Sequence, residues 1–287
     1  MNGGVAAGTI SGMDPGAQPT IELNNGVAIP AVGLGVFRVA EGDATRRAVL
    51  AALEAGYRHI DTARAYGNER DVGQAIRESG VPREQLFVTT KLYGDDHGYE
   101  MAKRACRKSL KLLGLSYLDL YLIHWPVPEL RGESWIGLQD LVDEGLCRAI
   151  GVSNYTNRHM DELLEYADVV PAVNQVEFHP FLYQKDLLEH NRRHGIVVEA
   201  YSPLTHGRRI DDPRIGAVAA KYGRTNAQVL IRWCLQRGTV VLPKSARPER
   251  IRENFLVFDF ELAPGDMEAL DALHENLHTC WDPTNAP

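Results

Sequence analysis

The sequence predicts an α/β protein, a (β/α)8 barrel of the TIM type with an N-terminal β-hairpin closing the barrel bottom. Three observations predict it. Eight short runs rich in Val, Ile and Leu are each followed by a segment of helical periodicity. The runs are apolar along most of their length, as strands of a parallel sheet covered on both faces must be. The alternation continues without a break in composition, so 20–287 read as one barrel domain with a C-terminal helix and tail, not as two domains.

The elements follow in order. TIELNNGVAIP carries the Asn25-Gly26 turn signal between two short apolar stretches and reads as the hairpin. GLGVF then leads into a helix over 43–55, HID into 69–78, and LFVTTK into 100–113. LDLYLIH leads into 135–144, RAIGVSN into 159–166, and AVNQVEF into 185–193. IVVEAYS leads into a pair of helices, 215–222 and 227–236, and TVVLPKS into 249–256. A further helix is expected over 267–274. Residues 1–19 are rich in Gly and Ala and read as a disordered leader; they lack the basic and apolar regions of a signal peptide, and Met13 offers a second start.

Composition excludes several classes of function. A formal charge of −7 argues against a general nucleic-acid binder, and no apolar run is long enough to span a membrane. The four cysteines, Cys106, Cys147, Cys234 and Cys280, form no CxxC pair and read as free thiols of a reducing, cytoplasmic compartment. Neither a GxGxxG nor a Walker-type loop is present, so neither a Rossmann domain nor a P-loop NTPase is supported.

The polar residues gather at the strand ends: Asp61, Lys91, His124, Ser153 with Asn154, Gln175 with Glu177, Tyr201 with Ser202, and Lys244 with Ser245. In a parallel barrel these ends share one rim, the rim where barrel enzymes place their sites. Any one of them could be polar only because it meets solvent. Together the types fit carbonyl reduction, which needs a proton donor and a hydrogen-bonding environment where negative charge grows on oxygen. Tyr66, five residues beyond Asp61, could give the proton. A free phenol has a pKa of about 10, and an ammonium at Lys91 would ease the transfer. Asp61 could balance Lys91, His124 could orient the carbonyl, and Trp125 offers a flat apolar wall.

The chain resembles the aldo-keto reductase superfamily. The resemblance runs from about Gly33 to Asn254 and rests on GYRHIDTARAYGNE, FVTTKL, LDLYLIHWP, AIGVSNY, PAVNQVEFHP, EAYSPL and LPKSARPERIREN in this order. The likeness is to the bacterial branch that includes diketogluconate reductases. It implies a catalytic tetrad of Asp61, Tyr66, Lys91 and His124, with Tyr66 as the general acid. It implies NADPH/NADP+ as cofactor, its carboxamide on Ser153, Asn154 and Gln175, and its nicotinamide ring against Tyr201. Ser202 and Leu204 would lie along the pyrophosphate, and Glu253 and Asn254 would reach the adenine. Around the start of the last barrel helix, Lys244, Ser245, Arg247 and Arg250 have chemistry suited to the 2′-phosphate. Phe37 and Trp125 would line the substrate pocket. The loops WPVPELRGES and SPLTHGRRIDDP are shorter than in long eukaryotic members, which implies a more open site and quicker cofactor exchange. A monomer acting on a small carbonyl substrate is expected, with no nucleic-acid or membrane partner.

Two rival readings stand beside it. A non-catalytic NADP-binding protein on the same fold would keep the cofactor residues, but all four tetrad types are present. A metal-dependent barrel hydrolase would need clustered His and Asp ligands, which the strand ends lack; no metal is expected. HENLH, residues 274–278, matches the HExxH pattern of zinc peptidases, but only Cys280 and Asp282 follow as plausible third ligands and no surrounding peptidase pattern is present, so it reads as a chance match on a terminal helix. HNRRH, residues 190–194, reads as a solvated helix face. The Asn154 sequon carries no meaning without secretion.

Overall fold

A computed structural model describes residues 18–287. Strands β1 (Thr20–Glu22) and β2 (Ala28–Pro30) pair antiparallel around a turn in which Gly26 takes φ 80°, a conformation open to glycine at little cost. Ile21, Leu23 and Ile29 bury themselves against Phe87, Ala172, Val173 and Val240, at or beside the starts of barrel strands. The hairpin therefore plugs the lower end of the barrel. The leader expected over 1–19 lies outside the described residues except for Gln18 and Pro19, which already hydrogen-bond to the barrel through Val32, Arg58 and Ala31.

Eight parallel strands follow: β3 (Leu34–Gly35), β4 (His59–Asp61), β5 (Phe87–Leu92), β6 (Leu118–Ile123), β7 (Cys147–Ser153), β8 (Val173–Glu177), β9 (Val197–Tyr201) and β10 (Val240–Leu242). Each pairs with its sequence neighbour, and the ring closes where Val32 meets Val241. There Gly33 N donates to Val241 O at 2.9 Å, and Val241 N to Ala31 O at 2.9 Å. A Cβ at Gly33 would stand 2.7 Å from both the His59 ring and Leu242, so the closing seam requires glycine.

The outer layer holds α1 (Asp43–Ala55), α2 (Glu69–Ser79), α3 (Tyr99–Leu113), α4 (Arg131–Asp143), α5 (Asn157–Leu164), α6 (Lys185–Arg193), α7 (Pro213–Tyr222), α8 (Asn226–Gln236) and α9 (Pro248–Phe255). A last helix, α10 (Pro264–Asp271), packs outside them. Several starts are set by local chemistry. Thr156 and Thr225 form capping boxes with His159 and Gln228, and the Asp212 side chain accepts from Arg214 N just before Pro213. Two expected helices shift. The fourth begins one turn earlier than 135, because Ser134 N bonds to Leu130 O in a stretch with no apolar signal. The last begins at Pro264 and ends at Asp271, whose carboxylate is held by Trp233 and Arg237.

HENLH is accordingly not helical. Asn276 takes φ 55°, Glu275 N and Leu277 N bond to Phe181 O, and His274 Nδ1 accepts from Tyr183 N. The i, i+4 spacing of its histidines therefore has no helical meaning. HNRRH is on α6, but its face is not wholly solvated. His190 is buried and its Nε2 lies 2.7 Å from Asp161 Oδ1 on α5, while His194 stays exposed. These three residues put possible ligand atoms within 4.8 Å of one another. A metal on His190 Nε2 would force the ring proton onto Nδ1, which is buried without a hydrogen-bond partner. Metal-bound imidazoles normally need that second partner, so the cluster reads as a bridge between α5 and α6.

Candidate active site

The site begins where β4 and β5 end. Asp61 and Lys91 are almost fully buried, and Lys91 Nζ lies 2.7 Å from each Asp61 carboxylate oxygen. The same ammonium donates to Thr62 O at 2.9 Å and stands 3.5 Å from Tyr66 OH. Tyr66 is delivered by a single 3-10 turn, Arg64–Tyr66, that ends in Gly67 at φ 75°. The loop thus folds the phenol back over the lysine. His124, just beyond β6, has its ring edge-on to Tyr66, with centroids 5.7 Å apart.

The electrostatics follow from this packing. Burial works against the Lys91 charge, but Asp61 and its hydrogen bonds prevail and raise its pKa, so Lys91 stays an ammonium. Burial pushes the Tyr66 phenol up to about 12, with Lys91 pulling it down. Burial and then Lys91 push His124 down to about 3, so its imidazole is neutral at pH 7. His124 Nδ1 is buried with no partner. A proton there would be a stranded donor, so the ring proton belongs on Nε2.

The neighbouring strand ends form a second layer. Asn154, at φ 64°, donates to His124 O and to Ser153 Oγ, and its Oδ1 accepts from Tyr201 OH at 2.8 Å. Ser153 Oγ donates to Gln175 O at 2.8 Å. Gln175 Nε2 donates to Asp61 Oδ2 at 2.8 Å and to Glu199 Oε2 at 2.5 Å. Ser202 lies 2.8 Å from His206 Nε2, and Leu204 packs on the core. At β10, Ser245 Oγ accepts from Arg247 N as α9 begins. Among the described residues Lys244, Arg247 and Arg250 form no ion pair. Burial, and then the like charge of Arg38, lower the Lys244 pKa. Free cations around a helix start fit a phosphate-bearing cofactor. Asn254 is buried in α9, whereas the Glu253 carboxylate accepts from Thr225 Oγ1 at 3.0 Å.

The mouth is aromatic. The Phe37 ring lies 5.0 Å from Tyr66, and Trp125 stacks near His124. Sequence reading did not anticipate Trp281, which packs on Trp125 at 4.7 Å. It is brought there by Glu177, whose carboxylate accepts from Thr279 N, Thr279 Oγ1 and Cys280 N and also meets His179 Nε2 at 3.1 Å. Arg38, Glu199 and His206 were likewise unforeseen. Only Glu199 left a signal, as an acid in the middle of the apolar run IVVEAYS.

An ammonium, a carboxylate, a phenol and an imidazole thus converge at the upper rim of an eight-stranded parallel barrel. Residues 31–275 match the model of the aldo/keto reductase family, and the chain belongs to that family of oxidoreductases. An aldo-keto reductase of Mycobacterium avium is 50% identical over 269 residues, 93% of this chain and 94% of that protein. The crystal structure of an aldo/keto reductase from Brucella melitensis is 44% identical with a TM-score of 0.87, over 90% of this chain and 100% of that one. A Bombyx mori aldo-keto reductase, solved in complex with NADP, is 40% identical with a TM-score of 0.86, over 92% and 95% of the two chains. No helix among the described residues is long and apolar enough to cross a membrane.

Proposed function

We propose that this protein is an NADPH-dependent reductase of small carbonyl compounds, dicarbonyls, keto-sugars or aldehydes, with Tyr66 as the general acid. The observation that carries the reading is Lys91, held 2.7 Å from both Asp61 oxygens and 3.5 Å from the Tyr66 hydroxyl. When bound, NADPH supplies the hydride. Tyr66 keeps its proton through neutral pH and gives it to the carbonyl oxygen as negative charge grows there. Lys91 stabilises the phenolate that remains, and Asp61 fixes Lys91 in place. His124, neutral and protonated on Nε2, donates to the same oxygen and orients it. Phe37, Trp125 and Trp281 form the walls against which the substrate packs.

Ser153, Asn154 and Gln175 would hold the carboxamide, Tyr201 the ring, and Ser202 and Leu204 the pyrophosphate. Lys244, Ser245, Arg247 and Arg250 would hold the 2′-phosphate, with Asn254 and Glu253 toward the adenine. The complex of the Bombyx mori relative with NADP supports this choice of cofactor. The same reading takes the protein to be a cytoplasmic monomer, which size-exclusion chromatography checks for oligomeric state and fractionation checks for location. The test is NADPH oxidation across a carbonyl panel, beside NADH and a Tyr66→Phe variant. Loss of a general acid lowers turnover by about 10²–10⁴. Full activity in Tyr66→Phe would remove Tyr66 from the mechanism, and preference for NADH would remove the phosphate role of Lys244 and Arg250.

A further inference from the structure

Below the tetrad lies a second carboxyl group that the proposed reaction does not use. Glu199 is the register partner of Gln175 across β8 and β9, and it is fully buried. Its Oε2 accepts from Gln175 Nε2 at 2.5 Å, while its Oε1 is buried with no hydrogen-bond partner. The groups facing it are few. His59 on β4 places Nε2 3.6 Å from Glu199 Oε1 and 3.1 Å from Thr89 Oγ1 on β5. Asp61 shares the Gln175 amide, and Lys91 is already committed to Asp61. From β10 the register partner is Val240, which carries no charge.

Two carboxyl groups therefore share one amide, and the cluster contains one firm cation. The imidazole of His59 is neutral, because burial and then Lys91 push it down to about 3. An ionised Glu199 would be a dry anion with one unsatisfied oxygen, close to a second anion. A protonated Glu199 keeps its Oε2 acceptor for Gln175, places its proton on Oε1 facing the neutral His59 Nε2 at 3.6 Å, and leaves the cluster neutral. Consistently, burial and then Asp61 raise the acid to about 8, against Gln175 and Lys91.

This fixes the Gln175 amide. Both hydrogens of its nitrogen point at acids, Asp61 and Glu199. Among the described residues the side-chain oxygen Oε1 of Gln175 accepts no hydrogen bond, unlike its main-chain oxygen, which leaves Oε1 for a donor from a ligand. We propose that Glu199 is a positioning residue that acts as a neutral acid, holding the Gln175 amide so that its oxygen faces the nicotinamide carboxamide and keeping a second negative charge away from Asp61 and Lys91. The proposal rests on the carbonyl-reductase reading for its ligand. Ionisation of Glu199 would strengthen the hold on the Lys91 charge and weaken the pull of Lys91 on Tyr66.

The experiment uses the full chain in three forms: wild type, Glu199→Gln as a mimic of the protonated acid, and Glu199→Val without an acceptor. NADP+ binding is read by quenching of tryptophan fluorescence, and NADPH-dependent turnover is followed from about pH 6 to about pH 10, bracketing the shifted acid. Glu199→Val is expected to weaken NADP+ binding about tenfold, the usual scale of one lost positioning contact, with Glu199→Gln restoring it. Wild-type turnover is expected to fall about tenfold above roughly pH 8, a decline that Glu199→Gln removes. Equal NADP+ binding by all three forms overturns the positioning role, and an unchanged alkaline decline in Glu199→Gln overturns the neutral-acid role. Absence of turnover in the wild type counts against the carbonyl-reductase reading instead, and the binding comparison still decides Glu199.

Discussion

Glu177 and Glu199 sit on neighbouring strands of one barrel, both nearly fully buried, and they differ in charge. Burial works to raise both acids. At Glu177, hydrogen bonds from His179, Thr279 and the Cys280 backbone outweigh burial and carry it down to about 2. At Glu199 a single amide cannot do so, and Asp61 adds its repulsion, so the acid rises to about 8. Donors around a carboxylate and the charges beside it, set against its burial, decide its charge. The consequence is functional. Glu177 works as an anion that ties the tail, and with it Trp281, over the mouth. Glu199 works as a neutral group inside the barrel.

The contrast can be broken experimentally, starting with its largest element. Lys91→Met leaves Asp61 buried without its cation, at a cost of about 3–5 kcal/mol, and lowers turnover at least about a hundredfold. Urea denaturation with kinetics checks both, and unchanged stability would mean that Asp61 finds another partner. Glu199 comes next. Its folded pKa lies above its unfolded value of 4.5, so the native state binds a proton that the unfolded chain has released. Wild-type stability should therefore fall relative to Glu199→Gln by about 1.4 kcal/mol per pH unit between the unfolded and folded values. A parallel pair of stability curves would show that Glu199 does not titrate.

Glu177 has the opposite sign. Its folded pKa is depressed, so its contribution is present above 4.5 and is lost as pH falls toward about 2. Glu177→Gln should cost about 1.5–3 kcal/mol at neutral pH, nothing at the acid end, and should speed proteolytic cleavage of the tail beyond His278. An uncleaved tail would separate the latch from Glu177. Smallest is Trp281→Ala, expected to raise KM for an aromatic aldehyde several-fold, on the scale of about 1 kcal/mol, with kcat unchanged. An equal rise for a small aliphatic aldehyde would take Trp281 out of substrate packing. Stopped-flow release of NADP+ from wild type tests the short-loop expectation of quick cofactor exchange.

The fold was legible because a buried parallel strand and an amphipathic helix each leave a repeating pattern. All eight strands and the hairpin could be read that way, and Asp61, Lys91 and His124 were visible as polar ends of apolar runs. HENLH misled because its spacing suggests a helix, while its backbone bonds are satisfied by Phe181, far away in sequence. HNRRH looked solvated because Asp161, the partner of His190, is on another helix. Trp281 lay in a tail with no pattern at all.

The sequence by itself determined the barrel, the hairpin plug and the kinds of chemical group at the rim, because periodicity and residue type are local properties. Only the tertiary structure decided which groups meet and what charge they carry. Gln175 reaches Asp61 across 114 residues, and Thr279 reaches Glu177 across 102. A buried group's pKa is set by such neighbours and by the water they exclude, and neither is written in the residues beside it.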